Sequence, residues 1–473
     1  MKEKQIKTPL TENKMGVMPV GKLLINMAMP MIAAMLVQAF YNVVDSYFVS
    51  RISEYKDYTD PQLIRESAIA AMSLAFAVQN ILIGFAVGIG VGVNALLSKS
   101  LGEGNQEKAN FAAGNGMTLA VIATVVFMVF GVVGSKSYFS MMSNTALTVE
   151  FGTQYISICC LFSLGVFVEI LGERLLQASG RTMYTMVTQG VGAIINIIMD
   201  PLLIFGIGPF PQMGIAGAAV ATVVGQWVAA ILAVIFNLKF NPDVQFGLRY
   251  FKLRKDVVGP VLTVGVPAVV MNSIGSVMNI GINKILQGFT QYGEVPVNVF
   301  GIYFKLQSFF FMPLFGMNNA TISIVAYNYG ARKPERITKT LKIACISALS
   351  FMLLGLAVFQ IIPDVLLGIF DTSEDFLTMG QRALRIISLC FPFAAVCIAL
   401  GASFQALGNG IYSTIVSLCR QLIVLLPAAY LLSLTGQVNA VWWAFPVAEL
   451  VSLTTTVILF VRIYRKKLLP LMN

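Results

Sequence analysis

The sequence predicts an all-α, polytopic membrane protein with twelve transmembrane helices in two pseudo-symmetric six-helix lobes. Three observations support this prediction. The composition is apolar and poor in charge, the apolar runs are long enough to span a membrane, and an internal repeat relates the two halves of the chain. Charged residues inside the apolar runs then indicate where the function lies.

Composition excludes most soluble classes of protein. Of the 473 residues, 57% are hydrophobic and only 11% are charged, whereas soluble domains carry about 25% charged residues. The chain has no histidine, and its six cysteines form no CxxC pair, which argues against a zinc or haem site. The net charge of +10 is not accompanied by a soluble basic-aromatic module. We therefore expect no metal, no cofactor, no nucleic-acid partner and no enzymatic activity.

Twelve apolar runs are each compatible with a spanning helix of about 20 residues. Their centres fall near Ala34, Ile81, Val121, Leu164, Ile194, Val228, Met271, Phe311, Leu349, Ala394, Ile423 and Leu453. The polar segment before Lys22 is unlike a short cleavable signal peptide. Membrane insertion is therefore expected to begin with the first long helix, and little chain remains for an extramembrane catalytic domain.

The basic residues predict the orientation of the chain in the membrane. With the N-terminus placed in the cytoplasm, 23 lysines and arginines lie on the cytoplasmic side and six lie outside. Loops on the cytoplasmic side of membrane proteins carry this excess of basic residues. Both termini are therefore expected in the cytoplasm, and the net positive charge is mostly an orientation signal.

An internal repeat relates the two halves. The segment that begins at Leu97 aligns with the one that begins at Val325, and the same offset in numbering aligns LLQASGR with SFQALGN. The first helix of each half needs a slightly larger offset, which aligns Pro30 with Pro267. Because each half has six helices, the repeats share one orientation, and transporters built in this way place the pathway between the halves.

The repeat and the charge pattern together predict five parts of the chain. These are a cytoplasmic N-terminal segment (1–21), an N-terminal lobe with helices 1–6 (22–238), a basic cytoplasmic linker (239–256), a C-terminal lobe with helices 7–12 (257–465) and a cytoplasmic tail (466–473).

Two aspartates inside the predicted spans are the strongest functional candidates. A charge at the centre of a membrane costs at least about 2.5–3.5 kcal/mol, so such residues usually serve a function. Asp45 lies about six helical turns after Lys22, and Asp200 lies about five turns after Arg181. Both therefore fall in the outer half of an outward-running helix, at similar depth. A carboxyl group in apolar surroundings takes up a proton more readily than one in water, as a proton-coupled switch requires.

Polar side chains share a helix face with each aspartate. Those on the face of Asp45 are Gln38, Tyr41 and Asn42, and those on the face of Asp200 are Gln189 and Asn196. Pro201 releases one further helical carbonyl at the second position. The functional interpretation is an acidic cavity in the first half that takes up protons or a cation. The alternative is that each aspartate only bonds to a neighbouring helix.

The second half has neither acid, since the repeat places Ile282 opposite Asp45 and Ala428 opposite Asp200. Coupling chemistry is therefore expected in the first half only. In the second half, the similar depths of Arg420 and Glu449 predict an interhelical ion pair.

The other intramembrane charges are expected to be structural. Glu169 and Glu173 are interpreted as partners of basic residues, Arg174 being near, and Lys284 is close enough to the outer boundary to extend into water. Lys305 keeps two interpretations, since it either lines a cavity in the second half or pairs with an unidentified acid. The glycine run from 84 to 92 predicts close helix packing rather than a nucleotide loop.

These features resemble the multidrug and toxic compound extrusion (MATE) family of cation-coupled antiporters, over nearly the whole chain. The branch most similar is the bacterial one whose functional acids lie in the N-terminal lobe. The matching stretches are PMIAAMLVQAFYNVVDSYFVSRI at Pro30, SLGEGNQEKA at Ser100, IINIIMDPLLIFG at Ile194, GIAGAAVATVVGQ at Gly214, YNYGARKPERI at Tyr327 and FQALGNG at Phe404.

The resemblance implies a secondary active multidrug efflux transporter of the bacterial inner membrane. It would exchange organic, mostly cationic or amphiphilic compounds for a coupling ion by alternating access. The expected ion is H⁺, with Na⁺ as the alternative, and we expect a monomer. Asp45 and Asp200 would be the coupling pair. The resemblance also implies a substrate cavity lined by Gln38, Tyr41, Asn42, Asn196 and Thr222.

Two rival functions fit the sequence less well. A flippase of the same superfamily, which moves a lipid-linked saccharide, would need several cationic residues at the cavity to hold a pyrophosphate, and only Lys305 and Lys284 are available. A polytopic membrane enzyme would need clustered acids or histidines in a sizeable loop, and the acidic loops here are short and predicted to be external.

Overall fold

The computed structural model describes residues 13–52, 60–368, 370 and 373–472, without the side chains of Asn42, Val43 and Ser46. Within these ranges the regular structure is entirely helical. Among the described residues, ten single helices and two bent helix pairs are long and apolar enough to cross a membrane, which gives up to twelve candidate spans when each pair counts as one. This confirms the predicted fold class.

The spans are labelled in chain order. They are α1 (Val20–Val49), α2 (Pro61–Gly102), α3 (Gln106–Met142), α4 (Ala146–Leu161 and Leu164–Ala178), α5 (Thr182–Phe205), α6 (Ile215–Phe240), α7 (Lys255–Gln287), α8 (Val295–Gly330), α9 (Pro334–Ile361), α10 (Glu374–Ser388 and Phe391–Ala406), α11 (Gly410–Ser433) and α12 (Val438–Met472). Short helical segments lie at Lys14–Val17, Leu248–Phe251, Thr290–Tyr292 and Pro363–Gly368.

Two spans are bent, at corresponding positions of the repeat. The halves of α4 meet at 50° and those of α10 at 44°. In α10 the second half begins at Phe391, with a proline in its first turn, and proline cannot continue a preceding helix. In α4 the carbonyl of Phe162, at the break, accepts a hydrogen bond from the indole of Trp227 at 3.2 Å. The carbonyl group of Phe162 at the bend is therefore hydrogen-bonded to a side chain of α6.

The internal repeat is visible in the helix ends. α2 ends at Gly102 and α8 at Gly330, and the same offset in numbering separates Thr182, where α5 begins, from Gly410, where α11 begins. It is also the offset between Leu97 and Val325 that the sequence alignment uses. The two halves therefore end these helices at equivalent positions of the repeat.

The first helix of each half packs partly into the opposite half. Leu23, Met27 and Met31 of α1 belong to the hydrophobic core that α7–α12 form, whereas Val257 and Val261 of α7 belong to the core of the first half. The two halves are therefore interlocked at these helices.

The halves approach most closely near the ends of α2 and α8, on what the charge bias predicts to be the cytoplasmic side. We call this the inner side. A Cβ atom at Gly102 would collide with the carbonyl oxygen of Tyr327, and one at Gly330 would collide with that of Lys99, the residue equivalent to Tyr327 in the repeat. Within the glycine run of α2, a Cβ at Gly88 would lie 2.7 Å from an α7 carbonyl oxygen. The predicted close packing of the run is confirmed.

The segment 13–18 bridges both halves on the inner side. The amide of Asn13 donates to the carbonyl of Ser179 and to Asp243 in the linker, at 3.1 and 3.3 Å. From the second half, Arg336 donates to the carbonyls of residues 15 and 18 at 3.0 and 2.7 Å. This segment therefore holds the inner ends of the two halves together.

The charges of the second half lie largely as the sequence predicts. Arg420 Nη1 is 3.5 Å from Glu449 Oε1, which confirms the ion pair. Lys284 and Lys305 are both exposed, and within the described ranges neither forms an ion pair. The interpretation of Lys305 as the partner of a membrane acid is therefore not supported.

Candidate functional site

The outer halves of α1 and α5 lie against each other and bring the two aspartates together. The rings of Phe48 and Phe205, further along the two helices, are 6.4 Å apart. Asp45 is 8% exposed and Asp200 is fully buried, and the two carboxyls are close enough to interact electrostatically. The similar depth expected from the sequence is thus a real proximity in the fold.

Each aspartate keeps one carboxyl oxygen without a hydrogen-bond partner in the protein. These atoms are Oδ1 of Asp45 and Oδ2 of Asp200, and Oδ1 of the neighbouring Asn196 is in the same state. A buried polar group left without a partner costs about 1–3 kcal/mol, and more when it is charged. The three oxygens therefore favour a proton or a cation in this region.

Asn196 connects Asp200 to α6. Its Nδ2 lies 3.5 Å from Oδ1 of Asp200 and 3.4 Å from the hydroxyl oxygen of Thr222, both near the upper limit for a hydrogen bond. The two helices can approach this closely because Gly192 of α5 faces Gly225 of α6. A Cβ at Gly225 would lie only 2.7 Å from the carbonyl oxygen of Gly192.

A cavity of about 70 Å³, which we call the outer cavity, adjoins this group. A volume of this size has room for a few water molecules. Its polar lining includes Gln38, Tyr41, Glu169, Gln189, Asn196 and Thr222. Four of the five residues expected at the substrate cavity therefore share one space, whereas the side chain of Asn42 lies outside the described part of the chain.

Three further residues belong to this region although the sequence did not assign them to it. Glu169 lines the outer cavity. Gln79 Nε2 of α2 donates to the hydroxyl of Tyr155 at 3.1 Å, and Tyr155 lies beside Thr222 and Asp45. An acid inside a span was a signal for Glu169, but a single tyrosine in an apolar run carries none.

In the described part of the chain, Glu173 is held by hydrogen bonds rather than by the expected ion pair with a basic residue. Its carboxylate accepts hydrogen bonds from Thr188 at 2.8 Å and from Gln189 at 3.0 Å, and Arg174 donates instead to Gln177 at 3.0 Å. Consecutive helical residues point about 100° apart, so an adjacent acid and base face different neighbours.

The site offers oxygen atoms and negative charge. Carboxyl, amide and hydroxyl oxygens suit a proton or a hard cation. Within the described residues, no group of three or more acids, cysteines or histidines is arranged to hold a metal ion.

Comparisons with known proteins agree on one family. The MatE family model matches residues 30–202 and 267–431. The FAD transporter of Shewanella oneidensis is 24% identical over 435 residues, which cover 91% of this chain and 92% of that protein. The multidrug export protein MepA of Staphylococcus aureus is 24% identical over 436 residues, which cover 91% of each chain. A solved outward-facing multidrug resistance MATE transporter superimposes with a TM-score of 0.88 at 22% identity, covering 98% of this chain and 99% of that one.

Proposed function

The chain belongs to the MatE family, and from this premise we propose that it is a secondary active multidrug exporter that exchanges organic cations for protons. Membership of the family makes it a multi-pass membrane transporter. The proposal adds the coupling ion, the class of substrate and the residues that bind them.

The observation that carries the proposal is the pair of buried aspartates with one unpartnered oxygen each. A buried pair of carboxyls cannot easily hold two negative charges, so it takes up a proton or a cationic ligand. A proton and a drug cation would then compete for the same negative charge. This competition is the minimum that antiport requires.

Alternating access completes the cycle. A ligand shifts a conformational equilibrium only through its different affinity for the two states. Protonated aspartates favour the state that has released the drug outward, and deprotonated aspartates favour the state that accepts it from inside. The interlocked α1 and α7, with the contacts of the segment 13–18, are the elements that must rearrange between the states.

We place the protein in a bacterial plasma membrane with both ends in the cytoplasm. The bias of 23 basic residues to six supports this orientation. Drug entry from the inner side and proton entry from the outer side follow from it, because the two aspartates lie in the outer halves of their helices.

Two other substrates are less well supported. A phosphate-bearing molecule, such as the flavin dinucleotide named for the Shewanella relative or a lipid-linked saccharide, needs cations at its binding site. The acidic outer cavity opposes this, and Lys284 and Lys305 are exposed residues of the opposite half.

The test is transport of ethidium in membrane vesicles, with a pH gradient and a sodium gradient imposed separately. We expect the pH gradient alone to drive ethidium movement. Asp45→Asn and Asp200→Asn should each reduce this movement to background, because an amide cannot exchange a proton. Glu103→Gln is the matched control, since this acid lies in the turn after α2, away from the site.

The outcomes separate the alternatives. Transport driven only by sodium would change the coupling ion and keep the site. Full proton-driven efflux in both aspartate variants would exclude the site. If neither gradient moves ethidium, the export of organic cations is refuted and the lipid-linked saccharide becomes the leading substrate.

A further inference from the structure

A second polar cavity continues the outer cavity toward the inner side. This inner cavity has a volume of about 60 Å³. Its polar lining consists of Gln38, Glu173, Arg174, Gln177, Thr185 and Gln189. Gln38 and Gln189 line both cavities, so two amide side chains are the polar part of the boundary between them.

The polar residues of α5 run toward its inner end along this path. Asn196 lines the outer cavity, Gln189 lines both and Thr185 lines the inner one. Their spacings of seven and four residues keep them on one helix face, and at 1.5 Å per residue they span about 16 Å. The helix begins only three residues before Thr185. The path therefore extends from the Asp45–Asp200 pair almost to the inner end of α5.

Unpartnered polar atoms mark both cavities. Asn196 is 3% exposed and its Oδ1 has no partner, and Thr185 is 1% exposed with an unpartnered hydroxyl. Polar atoms in an apolar interior are normally satisfied by protein or by ordered water. Cavities of this size have room for water molecules or a hydrated proton, and the inner cavity shares only Gln38 and Gln189 with the polar lining of the outer, substrate cavity.

The charged and titratable groups that line the path come mainly from α4. These are Glu169, Glu173 and Arg174 on α4 and Tyr41 on α1. Asp200 lies beyond the outer cavity, next to its lining residue Asn196. In the described part of the chain, α2 and α6 contribute no charged side chain to the lining of either cavity.

We propose that Glu169 and Glu173 relay protons between the Asp45–Asp200 pair and the inner side, and that the protons leave the substrate cavity through the inner cavity of the first half. The proposal rests on the proton-coupled antiport proposed above. It gives the two glutamates a transport role in place of a structural one. The route of proton release is thereby separated from the opening between the two halves.

Each step of the relay is an ordinary proton transfer between oxygens. A carboxylic acid of the aspartate pair loses its proton to a water of the outer cavity, which passes a proton to the carboxylate of Glu169. Glu169 transfers it to Glu173, again through water, and Glu173 releases it through the inner cavity. In every transfer one O–H bond breaks and one forms. Gln38 and Gln189 orient the water and carry no proton themselves.

The test separates coupled transport from exchange in proteoliposomes. Coupled transport is ethidium movement driven by a pH gradient, and counterflow is exchange of ethidium for ethidium without net proton transfer. We expect Glu169→Gln and Glu173→Gln to slow coupled transport about tenfold or more, since a positioned proton-transfer group contributes at least about 100-fold to its step. In Glu173→Gln, whose residue lines only the inner cavity, counterflow and the ethidium Kd should stay within about twofold of wild type.

Two variants control for structural damage. Glu173→Asp keeps a proton-exchanging carboxyl in the inner cavity and should restore part of the coupled rate. Glu66→Gln removes an exposed acid near the start of α2 that lines neither cavity, and should leave coupled transport unchanged. Thr185→Val preserves both glutamates and the shape of the side chain, so it tests the path even where the glutamine variants fail to fold. We expect this variant to slow coupled transport severalfold at normal counterflow.

The proposal is overturned if the glutamine variants, or Thr185→Val where those do not fold, couple like wild type. In that case loss of coupling in Asp45→Asn and Asp200→Asn would leave the proposed function standing. A parallel loss of counterflow in Glu173→Gln would assign this glutamate to the drug site and also overturn the relay. Absence of coupled transport in the wild type would refute the proposed function itself.

Discussion

The approach of α6 to α5 at Gly225 controls the candidate site, and substitution of this glycine tests that directly. In Gly225→Ala the new Cβ would lie 2.7 Å from the carbonyl oxygen of Gly192, whereas ordinary contact begins at 3.4 Å. The obstacle is backbone, so it cannot rotate away. The helices must separate by about 0.7 Å, which would lengthen the 3.4 Å distance between Asn196 and Thr222 to about 4.1 Å, beyond hydrogen-bonding range.

The expected consequence is a loss of both stability and transport. Overpacking of this kind typically costs about 1–3 kcal/mol. Because the broken hydrogen bond is the link from Asp200 to α6, proton-driven ethidium efflux should fall severalfold. Thermal unfolding of the purified protein and efflux from vesicles measure the two effects separately.

Two other glycines of α5 make a graded control series. A Cβ at Gly192 would lie 3.0 Å from its nearest neighbours, a milder clash, and one at Gly190 would meet nothing within 4 Å. Efflux should therefore decrease in the order Gly190→Ala, Gly192→Ala, Gly225→Ala, with Gly190→Ala close to wild type. Wild-type efflux and stability in Gly225→Ala would refute the argument that helix separation positions Asn196.

Two further predictions concern the contacts between helices. Arg336→Ala removes two of the hydrogen bonds that hold the segment 13–18 to the second half and leaves those from Asn328 and Lys333, so amide hydrogen exchange in that segment should accelerate about severalfold. Lys339→Ala, which replaces an exposed lysine one turn away, should leave the exchange unchanged. Equal exchange in both variants would show that the remaining contacts suffice to hold the segment. Removal of Arg420 alone should destabilise the protein by about 3–5 kcal/mol, because Glu449 stays buried without its partner. Replacing both residues with apolar residues of similar size should recover most of that loss, as measured by thermal unfolding. If the double variant loses as much stability as the two single variants together, the ion pair is contradicted.

The fold class could be predicted from the sequence because its signals are local. Apolar runs, the basic bias and the helix-ending glycines each depend on a few neighbouring residues. The difference in residue number that aligns the two halves of the sequence also separates corresponding helix ends, such as Gly102 and Gly330. The bends in α4 and α10 were not predicted, because a straight helix and a bent one can have the same run of apolar residues.

The aspartates of the candidate site were also accessible to sequence reasoning, because a charge inside an apolar run is conspicuous wherever the helix packs. The partners of Glu169 and Glu173 were not. A helix inside a membrane is apolar on most sides, so periodicity does not tell which face meets which neighbour.

The sequence by itself therefore determined the number of spans, their pairing by the repeat and the two acids of the first half. Only the tertiary structure decided that α1 and α7 pack into opposite halves and that Glu169 joins Asn196 and Thr222 around one cavity. The length of a helix and the presence of a charge inside it depend on residues that are neighbours in the sequence. Which face of one helix contacts another helix depends on close packing between residues that are far apart in the sequence. In lipid, where apolar surface gains little from burial against another helix, small residues such as Gly192 and Gly225 decide that packing.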